Sequence, residues 1–210
     1  PRWYSVGAAL VAVMLWSGAP LLAEFAKATP PLQLTAVTLL AGSLATLPLS
    51  RRVNVAACGA GWQLSVWVGI PLLIFGAVST YFIGMRLAPA AEAALITYTW
   101  PVLFVLLSQW SRFGRLRIAG VVGALIAFSG AALLLVPQAI SGGLGGATTG
   151  YALALLAACC WAIYSWLSQA APVALTSLLP RLLLMACAIA VAASLILEGT
   201  LALPSGEALL

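Results

Sequence analysis

Seven apolar stretches of bilayer-spanning length fill a chain of 210 residues, and the sixth opens by repeating the first. A helix needs about 20 residues to cross a hydrocarbon core of roughly 30 Å. On that measure spans fall at Tyr4–Ala23, Leu32–Leu49, Leu64–Arg86, Ala90–Trp110, Ile118–Val136, Gly150–Ser168 and Leu175–Leu197. Near the start the chain reads Ala-Val-Met-Leu-Trp16-Ser-Gly-Ala-Pro20, and later Ala-Ala-Cys-Cys-Trp161-Ala-Ile-Tyr164-Ser165. The two starts of this pattern lie five spans apart. Five is odd, so the second copy is expected to run through the membrane in the opposite sense. Inverted repeats of this kind are a layout of many secondary transporters, with the substrate held at the repeat interface near the bilayer midplane.

Only lipid can be the solvent for such a chain. Hydrophobic residues make up 64% of it and charged residues 6%, where a soluble domain carries about 25% charged residues. The net charge of +5 is therefore read through the placement of the arginines, not as a nucleic-acid signal. Arg2, Arg51, Arg52, Arg112, Arg115 and Arg117 fall on one side of the membrane, against Lys27 and Arg86 on the other. That asymmetry puts the N-terminus in the cytoplasm.

The absence of His and Asp removes whole classes of chemistry. Ser-His and Cys-His nucleophile pairs and zinc-protease helices all need a histidine, and no phosphate-binding loop of the Gly-Lys type is present. The chain is thus expected not to be an enzyme. Cys58, Cys159, Cys160 and Cys187 lack metal-binding spacing and read as small apolar residues. Neither a metal nor a cofactor is expected. A retinal photosensor needs a lysine within a late span, but the single lysine, Lys27, lies at a joint between spans; a seven-helix receptor is a distant alternative.

Thr29-Pro30-Pro31 separates the first two spans, and Leu87-Ala88-Pro89 the third and fourth. Pro137 with Ser141-Gly142-Gly143-Leu144-Gly145-Gly146 forms a flexible linker. The expected organisation is a first five-helix repeat over residues 1–137, a Gly-rich linker over 138–149, and the start of a second, inverted repeat over 150–210. Small residues at four-residue spacing, Gly76, Thr80 and Gly84 and then Gly123, Ala127 and Ala131, read as close helix packing. Pro20, Pro71, Pro101 and Pro180 fall inside spans, where each frees a carbonyl that needs another partner or a polar cavity. They are either simple kinks or hinges; the candidate hinges are Pro20, Pro101 and Pro180. Pro101 leads because Thr97, Tyr98, Thr99 and Trp100 precede it.

Trp161, Tyr164, Ser165 and Ser168 share one helix face at i, i+3, i+4, i+7 spacing. Lipid offers no partner to these hydroxyls, so the face turns to protein, as packing or as a cavity wall. Tyr81, beside Thr80, has the same character. The candidate substrate-binding residues are Trp16, Tyr81, Tyr98, Trp100, Trp161, Tyr164 and Ser165. Such a lining, apolar with a few hydroxyl and indole donors and no fixed charge, suits a ring-bearing or apolar molecule. No span carries a carboxylate near its middle, where proton- and sodium-coupled carriers keep one, which favours movement down a gradient.

The stretches Leu15-Trp16-Ser17, Pro30-Pro31-Leu32-Gln33-Leu34, Tyr81-Phe82, Leu87-Ala88-Pro89-Ala90-Ala91-Glu92-Ala93, Trp100-Pro101, Gly150-Tyr151 and Trp161-Ala162-Ile163-Tyr164-Ser165 carry a resemblance. Together they resemble the EamA branch of the drug/metabolite transporter superfamily, and within it the aromatic amino-acid exporter (YddG-like) group. The resemblance implies an all-α integral membrane protein of ten helices in two inverted five-helix repeats, of which seven transmembrane helices are present here. It also implies export of small metabolites, aromatic or other apolar amino acids first among them, by alternating access across the bacterial inner membrane. A monomer with a small-molecule substrate and a lipid bilayer as its partners is expected, and no nucleic acid. A broad-specificity drug exporter is the alternative, one that would favour a carboxylate in the cavity. Where the family often reads Ile-Asn-Tyr-Leu-Trp-Pro, this chain has Ile96-Thr97-Tyr98-Thr99-Trp100-Pro101.

Overall fold

The computed structural model describes residues 26–126 and 147–199, with single positions among residues 6–18 and 128–133. Among the described residues, five helical stretches are long and apolar enough to cross a bilayer: Pro31–Leu49, Ala60–Leu87, Ala90–Phe113, Thr148–Ala170 and Leu175–Leu197. Residues 118–126 are also helical. The expected span Tyr4–Ala23, with Trp16 and Pro20, and the later part of Ile118–Val136 lie outside the described residues.

Helix α1 (Pro31–Thr46) starts with proline at its first position, where a missing N–H costs nothing. It ends in a tighter turn, Leu47–Leu49. Helix α2 (Ala60–Leu87) begins four residues before the expected Leu64, through a wide π turn at Ser65–Gly69. There the Ile70 N–H reaches back to Ser65 O, immediately before Pro71. The proline supplies the reason: its ring crowds the carbonyl four residues back, and a widened turn relieves that contact.

The expected span Ala90–Trp110 is two helices, α3 (Ala90–Thr97) and α4 (Trp100–Phe113). Tyr98 and Thr99 form the turn between them, the Tyr98 N–H donating to Ala94 O at 2.9 Å and the Thr99 N–H to Ile96 O at 3.1 Å. Pro101 therefore sits in the first turn of α4, where it is tolerated. Gly114, with a positive φ of 62°, stops α4 as its N–H closes on Trp110 O. Helices α5 (Thr148–Ala170) and α6 (Leu175–Leu197) complete the set.

The most extensive packing joins α2 to α5 and α1 to α6. In the first pair, small residues remove the side chains that would hold the helices apart. A Cβ at Gly76 would lie 3.1 Å from Cys160 Sγ, and one at Gly84 would lie 3.1 Å from Gly150 O. In the second pair, Ile70 and Ile74 of α2 join Leu39 of α1 and Leu178, Leu182 and Ala186 of α6 in one buried cluster. Ser43 Oγ donates to Pro180 O at 2.8 Å inside it, so a buried hydroxyl is satisfied across the helices.

The chain ends of these helices sort into two faces. The Arg51 N–H meets Ser177 O at 3.3 Å, and Ser108 Oγ meets Gln169 Oε1 at 3.3 Å. These contacts bring residues 47–59, 113–117 and 171–174 to one face, which carries Arg51, Arg52, Arg112, Arg115 and Arg117. On the opposite face the Arg86 guanidinium donates to Thr29 O, and the Tyr151 hydroxyl donates to Glu92. Glu198 also lies there, its carboxylate accepting from Leu32 N at 2.8 Å and Gln33 N at 3.1 Å.

Candidate functional site

A cavity of about 820 Å³ opens between α1, α2, the α3–α4 break, α5 and α6. Helix α1 contributes a small face, Thr38, Ala41, Gly42 and Ala45, at i, i+3, i+4, i+7 spacing. Bulkier side chains there would fill the space. The other side is aromatic. Tyr81 comes from α2, Tyr98 from the turn, Trp100 from the start of α4 and Trp161 from the middle of α5. Ile74, Val78 and Leu183 supply aliphatic floor.

The break in the fourth span is what brings Tyr98 and Trp100 to the same cavity. On an unbroken helix, residues two apart point about 200° from each other. The turn at Tyr98–Thr99 changes that relation, and both side chains reach the space. The hydroxyl of Thr97 lies at the same place and links α3 to α5, donating to Ala93 O at 3.0 Å and Ala154 O at 3.3 Å.

Among the described residues, none that lines the cavity is charged. The polar groups facing the space are the Tyr81 and Tyr98 hydroxyls, the indoles of Trp100 and Trp161, and Thr38 and Thr97. Trp161 is held edge-on by Tyr164, ring centroids 5.8 Å apart at 68°, and Tyr81 stands against Phe82 with centroids 5.6 Å apart. Such paired rings restrict one another's rotation and present fixed faces to a ligand.

Of the residues singled out from sequence, Tyr81, Tyr98, Trp100 and Trp161 line this cavity. Tyr164 lies behind Trp161 and packs against the α1–α2–α6 cluster, and Ser165 does not line the cavity. Trp16 and Pro20 lie outside the described residues. Pro101 is an exposed residue of the first turn of α4, and Pro180 is buried inside α6. Thr38, Gly42 and Thr97 are not among the candidate binding residues of the sequence; Thr97 stands there only as a neighbour of Pro101, and small residues at four-residue spacing on α1 read equally well as helix packing.

A polar belt stands apart from the cavity, on the face opposite the arginines. Glu92, buried to 9% exposure, takes the Tyr151 hydroxyl across the α3–α5 contact. Glu198 takes both backbone donors of α1 and the Ser194 hydroxyl at 2.7 Å. These carboxylates cross-link helices and do not face the cavity.

Residues 3–136 match the EamA-like transporter family. A curated relative, the aromatic amino acid exporter YddG of Ancylobacter novellus, is 38% identical over 163 residues, which is 75% of this chain and 55% of that protein. The chain thus spans about half the length of that relative. A solved crystal structure shares the fold with a TM-score of 0.73 at 30% identity, over 100% of this chain and 72% of its own. With its all-helical fold and apolar spans, the chain belongs to the EamA-like transporter family and stands close to YddG within it.

Proposed function

We propose that this protein exports aromatic or other apolar amino acids across the bacterial inner membrane by alternating access. The observation that carries the proposal is the cavity of about 820 Å³, walled by Tyr81, Tyr98, Trp100 and Trp161, with no charged side chain among its described lining residues. An aromatic ring stacks on such walls, and the Tyr81 and Tyr98 hydroxyls fix its orientation. The name of the YddG relative agrees with this chemistry. A cationic drug would need an acidic anchor, which the described lining residues do not include. With no carboxylate among the described residues that line the cavity, the proposed transport is facilitated movement down the substrate gradient.

In the proposed architecture, residues 1–137 form one five-helix repeat, 138–149 a linker, and 150–210 the beginning of an inverted repeat, in a monomer of ten helices. Pro20, Pro101 beside the α3–α4 break, and Pro180 are the proposed hinges, and Trp16, Tyr164 and Ser165 the proposed companions of the four cavity aromatics. The N-terminus and the arginine-rich face are placed in the cytoplasm.

The test is flux of phenylalanine and tryptophan through the full-length protein in liposomes, with Trp161→Ala beside it. An aromatic contact is worth about 0.5–1.5 kcal/mol beyond area burial, so the variant is expected to weaken apparent affinity by roughly a few-fold to tenfold. Trp110→Ala, on an exposed residue of α4 away from the cavity, should leave flux unchanged. Equal flux through the Trp161→Ala variant, or no flux of either amino acid through the unaltered protein, overturns the proposal.

A further inference from the structure

A second, smaller cavity of about 510 Å³ lies between the ends of α4 and α5 at the arginine-rich face. Its walls combine aromatic surface, Phe104 and Trp166, with a polar set, Ser108, Gln109, Arg112 and Gln169. Among the described residues, the central cavity has no charged lining residue, whereas this one has a guanidinium.

Three observations give that guanidinium a ligand chemistry. First, both carboxylates among the described residues, Glu92 and Glu198, are engaged at the opposite face. Among the described residues, Arg112 therefore has no acid to pair with; its recorded neighbour is the Phe113 ring, 5.9 Å from the guanidinium carbon to the centroid. Second, the polar side chains around it are partly pre-ordered. Ser108 Oγ donates to Gln169 Oε1 at 3.3 Å, and Gln109 Oε1 accepts the Arg117 N–H at 2.9 Å. Gln169 Oε1 keeps a second lone pair that suits an ammonium. Third, the two cavities lie along one seam. Trp100, Phe104, Ser108 and Arg112 recur every four residues on α4, and Trp161, Ser165 and Gln169 do so on α5.

We infer that this cavity is a capture site for the α-carboxylate of the substrate, centred on Arg112, from which the amino acid passes along the α4–α5 seam to the aromatic cavity. Arg112 offers planar paired donors that match a carboxylate. Phe104 and Trp166 hold the apolar side chain, and Gln169 takes the ammonium. The central cavity supplies ring recognition and the peripheral one supplies charge recognition. A zwitterion is thereby selected before it enters a space without charges. The inference rests on the amino-acid reading above.

Inverted membrane vesicles carrying the full-length protein present the Arg112 face to added substrate, and right-side-out vesicles present the other. With phenylalanine, Arg112→Gln is expected to raise KM from the Arg112 face by about ten- to a hundredfold, the worth of a hydrogen bond to a charged group, with little change in the maximal rate. From the opposite face KM should stay constant and the maximal rate should fall by the same factor, because a carrier that works down a gradient has one ratio of maximal rate to KM for both directions. Arg112→Lys should recover part of the loss. Phenylacetate, which keeps ring and carboxylate, should compete from the Arg112 face of the unaltered protein and cease to compete in Arg112→Gln. Arg115→Gln, on the same face outside the cavity, should behave as unaltered. An unchanged face-specific KM in Arg112→Gln overturns the capture site while the amino-acid reading stands. An equal rise in Arg115→Gln also overturns it, because a general positive field then explains the effect. If the unaltered protein carries no aromatic amino acid, both readings fall.

Discussion

At Gly150 the backbone of α5 lies directly against the α2–α3 turn. A Cβ there would stand 2.7 Å from Ala88 N and 2.7 Å from Leu87 C. These are backbone atoms, so the contact cannot be relieved by turning a side chain. Gly84 meets the same contact from the other side. Between helices in lipid, such close approach replaces the hydrophobic drive that water would supply, because lipid is as apolar as the side chains it touches. Gly150→Val is overpacked and is expected to cost about 1–3 kcal/mol. Gly59 has open space around its missing Cβ and an ordinary φ of −60°, so Gly59→Ala should be neutral. Thermal unfolding of the purified full-length protein in detergent checks the pair. A Gly150→Val midpoint equal to that of Gly59→Ala would mean that α2 and α5 do not meet as described.

At the scale of elements, the notable joint is that of α6 onto α1. Pro30 precedes α1 and offers no capping side chain, and the first donors of the helix would otherwise lack partners. Glu198, one residue past the end of α6, supplies a carboxylate to Leu32 N and Gln33 N at once. It serves as a borrowed N-cap and as a charge at the positive end of the helix dipole. Glu198→Ala is expected to cost about 0.5–2 kcal/mol, the usual worth of a cap. Glu198→Gln should keep one oxygen acceptor and lose less. Chemical denaturation of the two variants separates them; equal stability to the unaltered protein in both would show the cap to be idle.

The sequence announces α1, α5 and α6 within two residues at each start, because apolar length and flanking Pro and Gly decide where a span begins in lipid. It is less clear about Ala90–Phe113. No glycine marks the break at Tyr98–Thr99, and Pro101 flags only that a donor is missing. The charged joints are not legible at all. Glu92 and Tyr151 are 59 residues apart and Leu32 and Glu198 are 166 apart, so both pairs exist only through the tertiary arrangement. The same holds for the small face of α1. Thr38 and Gly42 read as packing residues until Trp161 and Tyr81 stand opposite them across a cavity. Conversely Tyr164 shares a helix stripe with Trp161, but the stripe is wide enough that one member faces the cavity and the other faces the core.

For the whole molecule, the two faces differ sharply in charge. One bears Arg51, Arg52, Arg112, Arg115 and Arg117; the other bears Lys27 and Arg86 offset by Glu92 and Glu198. Basic residues in short joints are retained in the cytoplasm during insertion, whereas acidic residues contribute little. The arginine face is therefore expected inside the cell, and this orientation sets the direction in which the Arg112 cavity and the aromatic cavity would be met. Cys58 tests it with a residue already present. It lies half-buried in the joint before α2, on the arginine face, while Cys159, Cys160 and Cys187 lie within α5 and α6. A membrane-impermeant maleimide added to intact cells should leave the protein unlabelled and should label Cys58 in inverted vesicles. Thr148→Cys, at the exposed start of α5 on the other face, should react in intact cells. Replacing Cys58 with serine should abolish the vesicle signal and leave the Thr148→Cys signal unchanged. If intact cells label Cys58 and spare Thr148→Cys, the molecule sits the other way up. The Arg112 cavity would then open outward, and the order of the two cavities along the export path would be reversed.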